Sequence, residues 1–366
     1  MYNFRILTIN PGSTSTKVAL FEGQNKLFSK NIEHDLSRLS HFSEISEQFD
    51  YRKQMILETV EENNIDFETI DAFSGRGGGL VSLEGGTYEV NPMMLKHARI
   101  GLTVKHPATL GCQIAHYFAE KYNKKAFVVN PPDVDEFQDV ARLTGLKGVY
   151  RESRTHALNQ KEVAIRYAKS IEKKYEELNL IIAHIGGGIS ITAHQKGRMI
   201  DSNDIVSGDG PMAPTRCGSI PVKNIVEMSY SGKYSEREML DKITKSGGIS
   251  DHLGTADIKS VIHKIERGDA YAKLVFEGML YQIVKEIGAY AAVLKGEVDA
   301  IILTGGIAQS AYVVNTIKSH VQYIGQVIQM AGEFEMEALA AGAIRVLAGE
   351  EKAKIYTGEP IWNGFI

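Results

Sequence analysis

The segment Asn10-Pro11-Gly12-Ser13-Thr14-Ser15-Thr16-Lys17 places a glycine, a run of hydroxyls and a lysine between two apolar stretches. Small residues let backbone approach a ligand closely, and exposed N–H groups in a turn form a concave seat for an anion. The hydroxyls of Ser13 and Ser15 add donors, and Lys17 adds positive charge. A plain hairpin also favours Gly, Ser and Thr, so a single loop of this kind decides little. A second loop, Gly186-Gly187-Gly188, follows the apolar run Leu180–Ile185, with His184 just before the glycines, where it can reach a phosphate. A third turn, Gly305-Gly306-Ile307, follows Ala300–Thr304. Three such turns together favour phosphate binding. Rival nucleotide signatures are missing: there is no G-x-x-x-x-G-K-[ST], and no G-x-G-x-x-G after the first strand. Gly75-Arg76-Gly77-Gly78-Gly79 comes near the latter, but Leu80 stands where its last glycine belongs.

The elements that must hold these loops alternate between strand and helix, which argues for an α/β protein. Strands are expected over 4–10, 16–22, 126–129, 180–185, 189–194 and 300–304. Helices are expected over 48–63, from His106-Pro107 to about 122, 153–178, 235–245, 257–295 and, alanine-rich, 335–347. One order of parts occurs twice. Strand, small-residue loop, strand, turn, strand runs through 5–28 and again through 180–201. This repeat predicts two duplicated domains facing each other across a cleft. The expected division is 1–150, completed by the C-terminal helix 345–366, and 151–344.

Composition narrows the class. A chain of 366 residues is long enough for two domains, and 43% hydrophobic with 23% charged residues is ordinary for a soluble protein. A net charge of −4 with scattered lysines and arginines gives no footing for nucleic acid. No apolar run reaches the ~18–20 residues a membrane helix needs, and the chain opens directly on a strand, without a signal-peptide pattern. Two distant cysteines, Cys112 and Cys217, suit a reducing cytoplasm. Apolar surface on the terminal helices points to a homo-oligomer.

Seven strings occur in order: TINPGSTSTKVALFE, SGRGGG, RTHALNQK, AHIGGGIS, PTRCGSIP, GTADIK and LTGGIA. Together they resemble the acetate and butyrate kinase family over essentially the whole chain. That family belongs to the group sharing the actin-like, ribonuclease H-like fold. The opening string, the His-Ala-Leu-Asn-Gln run and the length are more similar to the butyrate-phosphorylating members. The resemblance implies reversible phosphoryl transfer from ATP, with Mg2+, to the carboxylate of butyrate. Acetate, propionate or a branched short-chain acid is the alternative acceptor. An actin-like ATP-binding switch without acyl transfer is the alternative of another class.

A short-chain acid is already ionised at pH 7, so the acceptor needs no base. What it needs is positive charge and alignment. Arg76, among glycines, and Arg216, before Cys217-Gly218, suit that task, because a planar fork of donors matches carboxylate and phosphate oxygens. The resemblance implies that both are active-site arginines and that His156 donates to the transferring phosphoryl. It places Asn10, Ser13, Ser15 and Lys17 in the first phosphate loop, Asn10 also helping to hold the metal. It places Gly186, Gly187 and Gly188 in the second loop. Asp257 and Lys259 fall in a segment that contacts adenosine, although the family has arginine where this chain has Lys259. Gly305, Gly306 and Ile307 fall in the loop over the nucleoside. Glu335 corresponds to a glutamate near the metal. His106 is expected to face the acid. Asn130 stands where the family carries an aspartate, and an amide oxygen there still accepts hydrogen bonds from water around a metal.

Overall fold

The computed structural model describes residues 2–365. The chain divides into one unit of residues 1–135 with 334–366 and another of residues 136–333. These divisions fall earlier than those expected from the sequence; the helix that returns to the first unit is Glu335–Leu347, and the expected helix over 345–366 does not form, since residues 348–365 run as turns and irregular chain.

The first unit is built on six strands: β1 (Arg5–Pro11), β2 (Ser15–Glu22), β3 (Asn25–Glu33), β4 (Ala72–Gly75), β5 (Thr87–Glu89) and β6 (Lys125–Val129). Their order across the sheet is β3-β2-β1-β4-β6-β5. β1, β2 and β3 form an antiparallel meander, while β1, β4 and β6 run parallel. Ile6, Leu7, Thr8 and Ile9 of β1 are all fully buried. A strand buried at successive positions must be covered on both faces, and helices Thr109–Lys121 and Glu335–Leu347 both pack on the central strands. The first helix lies so close that a Cβ at Gly75 would overlap the Gly111 carbonyl, and one at Gly111 would overlap the Arg76 backbone. Part of the glycine content near Arg76 therefore serves packing.

The second unit repeats the plan. Its strands are β7 (Asn179–Ile185), β8 (Ile189–Gln195), β9 (Arg198–Ser202), β10 (Ala300–Thr304) and β11 (Gln326–Gln329), in the order β11-β10-β7-β8-β9. Again three strands form an antiparallel meander, and β7, β10 and β11 run parallel. Even the register shift between second and third strands recurs, at Leu20/Phe21 and at Ala193/His194. Helix Ala270–Val293 seals the core through Phe276, Met279 and Ile283, all fully buried. Each such side chain contributes about 2–3 kcal/mol by leaving water.

Two helices differ from expectation. The stretch 153–178 is helical only over Ala157–Ser170, because Glu172 takes a left-handed φ of 57° that closes the helix. Tyr175–Glu177 then forms a short 3-10 turn. The stretch 257–295 is two helices, Ile258–Glu266 and Ala270–Val293, broken at Gly268 (φ 90°), with Asp269 capping the second.

Candidate active site

In open parallel sheets ligands gather beyond the C-terminal ends of the strands. In the first unit β1, β4 and β6 end at Pro11, Gly75 and Val129, and this edge carries Asn10, Arg76 and Asn130. The Arg76 N–H donates to the Ile9 carbonyl at 2.8 Å, which fastens the arginine beside β1. Glu335, in the first turn of its helix, accepts from Asn10 Nδ2 at 2.8 Å and stands 3.7 Å from Arg76 Nη2. Lys17 faces Asn10 across the β1–β2 ladder and is exposed, so the two side chains share a face. Arg76 Nη1 is buried and has no hydrogen-bond acceptor. A buried guanidinium N–H left unpaired costs free energy that a bound anion recovers.

The first loop closes with Gly12 N–H donating to the Ser15 carbonyl at 2.7 Å, and among the described residues the N–H groups of Ser13 and Thr14 meet no backbone acceptor. A residue the sequence reading passed over holds this loop from behind. Arg52, wholly buried, donates from Nη1 to the Ser15 carbonyl (3.1 Å) and Thr16 Oγ1 (3.0 Å), and from Nη2 to the Ser13 carbonyl (3.3 Å). Arg52 Nε donates to Gln48 Oε1. With its carbonyls drawn inward, the loop is left to present N–H groups. Thr16 Oγ1 accepts from Arg52, so its own hydrogen goes to His34 Nε2, 2.8 Å away. Burial and then the charge on Arg52 hold the His34 imidazole down to about 4. Burial also lowers the guanidinium of Arg52, to about 10.

His106 is exposed, and its Nδ1 accepts from the Ala108 N–H at 3.1 Å, leaving the Nε2–H as its outward donor. Crowding by neighbouring atoms, then the charges of Arg76 and Arg52, lower its pKa. Asn130 also serves a turn. Its Oδ1 accepts from the Gly86 N–H at 2.7 Å, and its φ of 37° is one that asparagine tolerates. That oxygen ties down the approach to β5 and, with a second lone pair, can accept one further hydrogen bond.

In the second unit the loop after β7 repeats the first in outline. Gly186 N–H donates to the Gly188 carbonyl at 3.1 Å, and among the described residues the N–H groups of Gly187 and Gly188 meet no backbone acceptor. A Cβ at Gly188 would fall on the Arg216 guanidinium, so the glycine is what lets that arginine lie against the loop. Thr215 Oγ1 donates to the Gly187 carbonyl at 3.4 Å. Arg216 Nη1, like Arg76 Nη1, is buried with no acceptor, and burial lowers its pKa although Asp204 counteracts. The third turn lies alongside. Thr304 pairs with His184 in the parallel ladder, and Gly305, at φ 86°, passes too close to Ile185 for a side chain. The rings of His156 and His184 stack at 3.8 Å and 12°. His184 Nδ1 lies 2.9 Å from Asn159 Oδ1, which also accepts from Thr304 Oγ1.

Gly306 is exposed and Ile307 half-buried, at the start of a 3-10 turn. Asp257 caps helix Ile258–Glu266 by accepting from the Lys259 N–H, and both side chains are exposed. Their bonding is local to that helix.

The Acetokinase family model matches residues 117–353. A probable butyrate kinase of Clostridium botulinum strain Alaska E43 is 46% identical over 97% of this chain and 100% of its own length. Butyrate kinase 1 of Clostridium acetobutylicum is 44% identical over 96% of this chain and 99% of its own. Among solved structures, acetate kinase of Porphyromonas gingivalis superposes with a TM-score of 0.78 at 19% identity, covering 94% of this chain and 100% of that one. The last likeness shows the fold. The family match and the two close relatives, over a sequence whose motifs fall where the sheet edges need them, establish that the chain belongs to the acetokinase family.

Proposed function

We propose that this chain transfers the γ-phosphoryl group of ATP to the carboxylate of butyrate, giving butanoyl phosphate and ADP, reversibly. The observation that carries the reading is the pair of buried guanidinium nitrogens, Arg76 Nη1 and Arg216 Nη1, that have no acceptor. Both belong to arginines at the strand-end loops, and both suit an anion. Identity of 44–46% to proteins named butyrate kinases favours butyrate as that anion's source.

The acid arrives as a carboxylate, so no base removes a proton. Its oxygens take N–H donors from Arg76 and from His106 Nε2. The Ser13 and Thr14 N–H groups, the Ser15 hydroxyl and Lys17 hold phosphate oxygens in the first unit. Gly187, Gly188 and His184 hold them in the second, with Gly305, Gly306 and Ile307 beside the nucleoside and Asp257 and Lys259 toward the adenosine. As the phosphoryl group moves, charge spreads over its equatorial oxygens, and Arg216 with the His156 N–H stabilises it there. Mg2+ fits Asn10 and Glu335. Asn10 spends its N–H on Glu335 and keeps Oδ1, and hard oxygens are the donors that ion takes. No group of three His, Cys, Asp or Glu side chains suited to a metal occurs among the described residues, so the ion would come with the phosphates. Bound, it would neutralise phosphate charge.

No helix among the described residues is long and apolar enough to cross a membrane. A cytoplasmic setting, where Cys112 and Cys217 remain thiols, and self-association into a homo-oligomer complete the proposal. The test is a panel of C2 to C5 acids with ATP and Mg2+, trapping acyl phosphate with hydroxylamine. Butyrate is expected to exceed acetate in kcat/KM by about tenfold or more. Trapped product with none of the acids would overturn the reading in favour of a nucleotide switch.

A further inference from the structure

Behind His156 runs a line of buried polar side chains that the reaction as described does not use. Tyr175 Oη lies 2.6 Å from His194 Nδ1, and His194 Nε2 lies 3.0 Å from Gln160 Oε1. Gln160 Nε2 lies 2.7 Å from Ser190 Oγ, which lies 2.8 Å from His156 Nδ1. His194, Gln160 and Ser190 are wholly buried and Tyr175 nearly so.

One group fixes where every hydrogen in this line points. Gln160 Nε2 also reaches the Ser190 carbonyl, at 3.2 Å. A carbonyl can only accept, so the amide nitrogen faces Ser190 and the amide oxygen faces His194. His194 must then donate from Nε2. Burial, and after it the charge of Lys161, keeps that ring neutral, so Nδ1 is a lone pair and takes the Tyr175 hydroxyl hydrogen. Burial, then Glu136 and Glu176, keeps the phenol protonated. Ser190 Oγ accepts from Gln160, and its own buried hydrogen has His156 Nδ1 as acceptor. The line is polarised in one sense from end to end, and it leaves the proton of His156 on Nε2.

We propose that Tyr175, His194, Gln160 and Ser190 are positioning residues that hold His156 as its Nε2–H tautomer, so that a neutral ring presents a donor. The inference rests on the reading above that His156 donates to the transferring phosphoryl group. Aligned hydrogen bonds strengthen one another, and a donor fixed before the reaction needs no reorganisation during it. Charged and titratable groups among the described residues surround the line, and Glu176 acts on Tyr175. His184 stacks on His156, and its Nδ1 faces the amide oxygen of Asn159. Lys161 pairs with Glu136 at 2.8 Å beside Tyr175 and His194.

The tautomer is read directly from the imidazole 15N shifts of His156 in the full chain at neutral pH. The wild-type chain is expected to show Nε2–H, and an Nδ1–H pattern would overturn the proposal without any variant. Gln160→Glu turns acceptor oxygens toward Ser190, so the Ser190 hydrogen turns to it and His156 Nδ1 becomes the donor. That variant should show Nδ1–H or imidazolium shifts and a kcat lowered about tenfold or more. KM for ATP and butyrate should stay within about threefold. Ser190→Ala, which deletes a single hydroxyl, should lower the Nε2–H fraction in the same direction. Unchanged shifts in both variants, each with a cooperative melt, would overturn the proposal. Moved shifts together with wild-type kcat in His156→Ala would uphold the line and overturn the catalytic reading of His156.

Discussion

Arg76 and Arg216 could be picked out of the sequence because each stands among small residues that hide nothing. Their geometry makes demands that a substitution can test. Replacing either with lysine keeps the charge but loses the planar fork, and kcat is expected to fall about 100-fold or more, with a normal melt. Gly188 is the sharper case, since a methyl group there would fall on the Arg216 guanidinium. Gly188→Ala should lower kcat about 100-fold by displacing that guanidinium, because shifts of about 1 Å in aligned groups have effects of this size. Wild-type kcat in a folded Gly188→Ala chain would separate Arg216 from the chemistry. Asn130 shows the limit at this scale. Its residue type alone could not reveal that the amide oxygen also accepts from the Gly86 N–H.

At the scale of elements, the loops were legible and their supports were not. Glycines and hydroxyls between apolar runs announce a turn, whereas Arg52 stands in an amphipathic helix where arginine ordinarily faces solvent. Its position four residues before Ile56 puts it on the buried face, and only the fold shows that loop carbonyls wait there. Arg52→Met removes those donors and leaves buried carbonyls unpaired. The expected cost is at least about 2 kcal/mol in stability, with KM for ATP raised more than KM for butyrate. The reverse split in KM would assign the loop to the acid. His34, on the same network, makes stability depend on pH. It stays neutral in the folded chain down to about 4, while an unfolded histidine takes its proton near ~6.5. Between these values the unfolded chain binds more protons, so stability falls as pH falls, by up to about 1.4 kcal/mol per pH unit from this group. His194, also held neutral by burial, adds to the slope. His34→Gln keeps an acceptor for Thr16 and should flatten the loss of melting temperature between pH 6.5 and 4.5. An unchanged slope would place the acid sensitivity elsewhere. The helix expected to reach Leu178 ended early because one left-handed residue, Glu172, closes it, and glutamate gives no sign of that in sequence.

At the scale of the whole chain, the duplication was readable as a repeated order of strand, loop, strand, turn and strand. The sheets extend it to the parallel strands and to the register shift. The exact divisions were not readable, because the chain returns to its first unit through the helix at Glu335, with no change of composition to mark it. Both units offer a loop and an arginine with a buried, unpartnered nitrogen. ATP turnover is therefore expected to depend on the acid and on both arginines. The most direct measurement is the rate of ADP formation with Mg2+, with and without saturating butyrate, in the wild-type chain and in Arg76→Ala and Arg216→Ala. Turnover in the wild type is expected to rise steeply with butyrate, and the butyrate-dependent rate to fall about 1000-fold in each variant. ADP formation indifferent to butyrate, or variants that keep the wild-type response, would contradict that dependence.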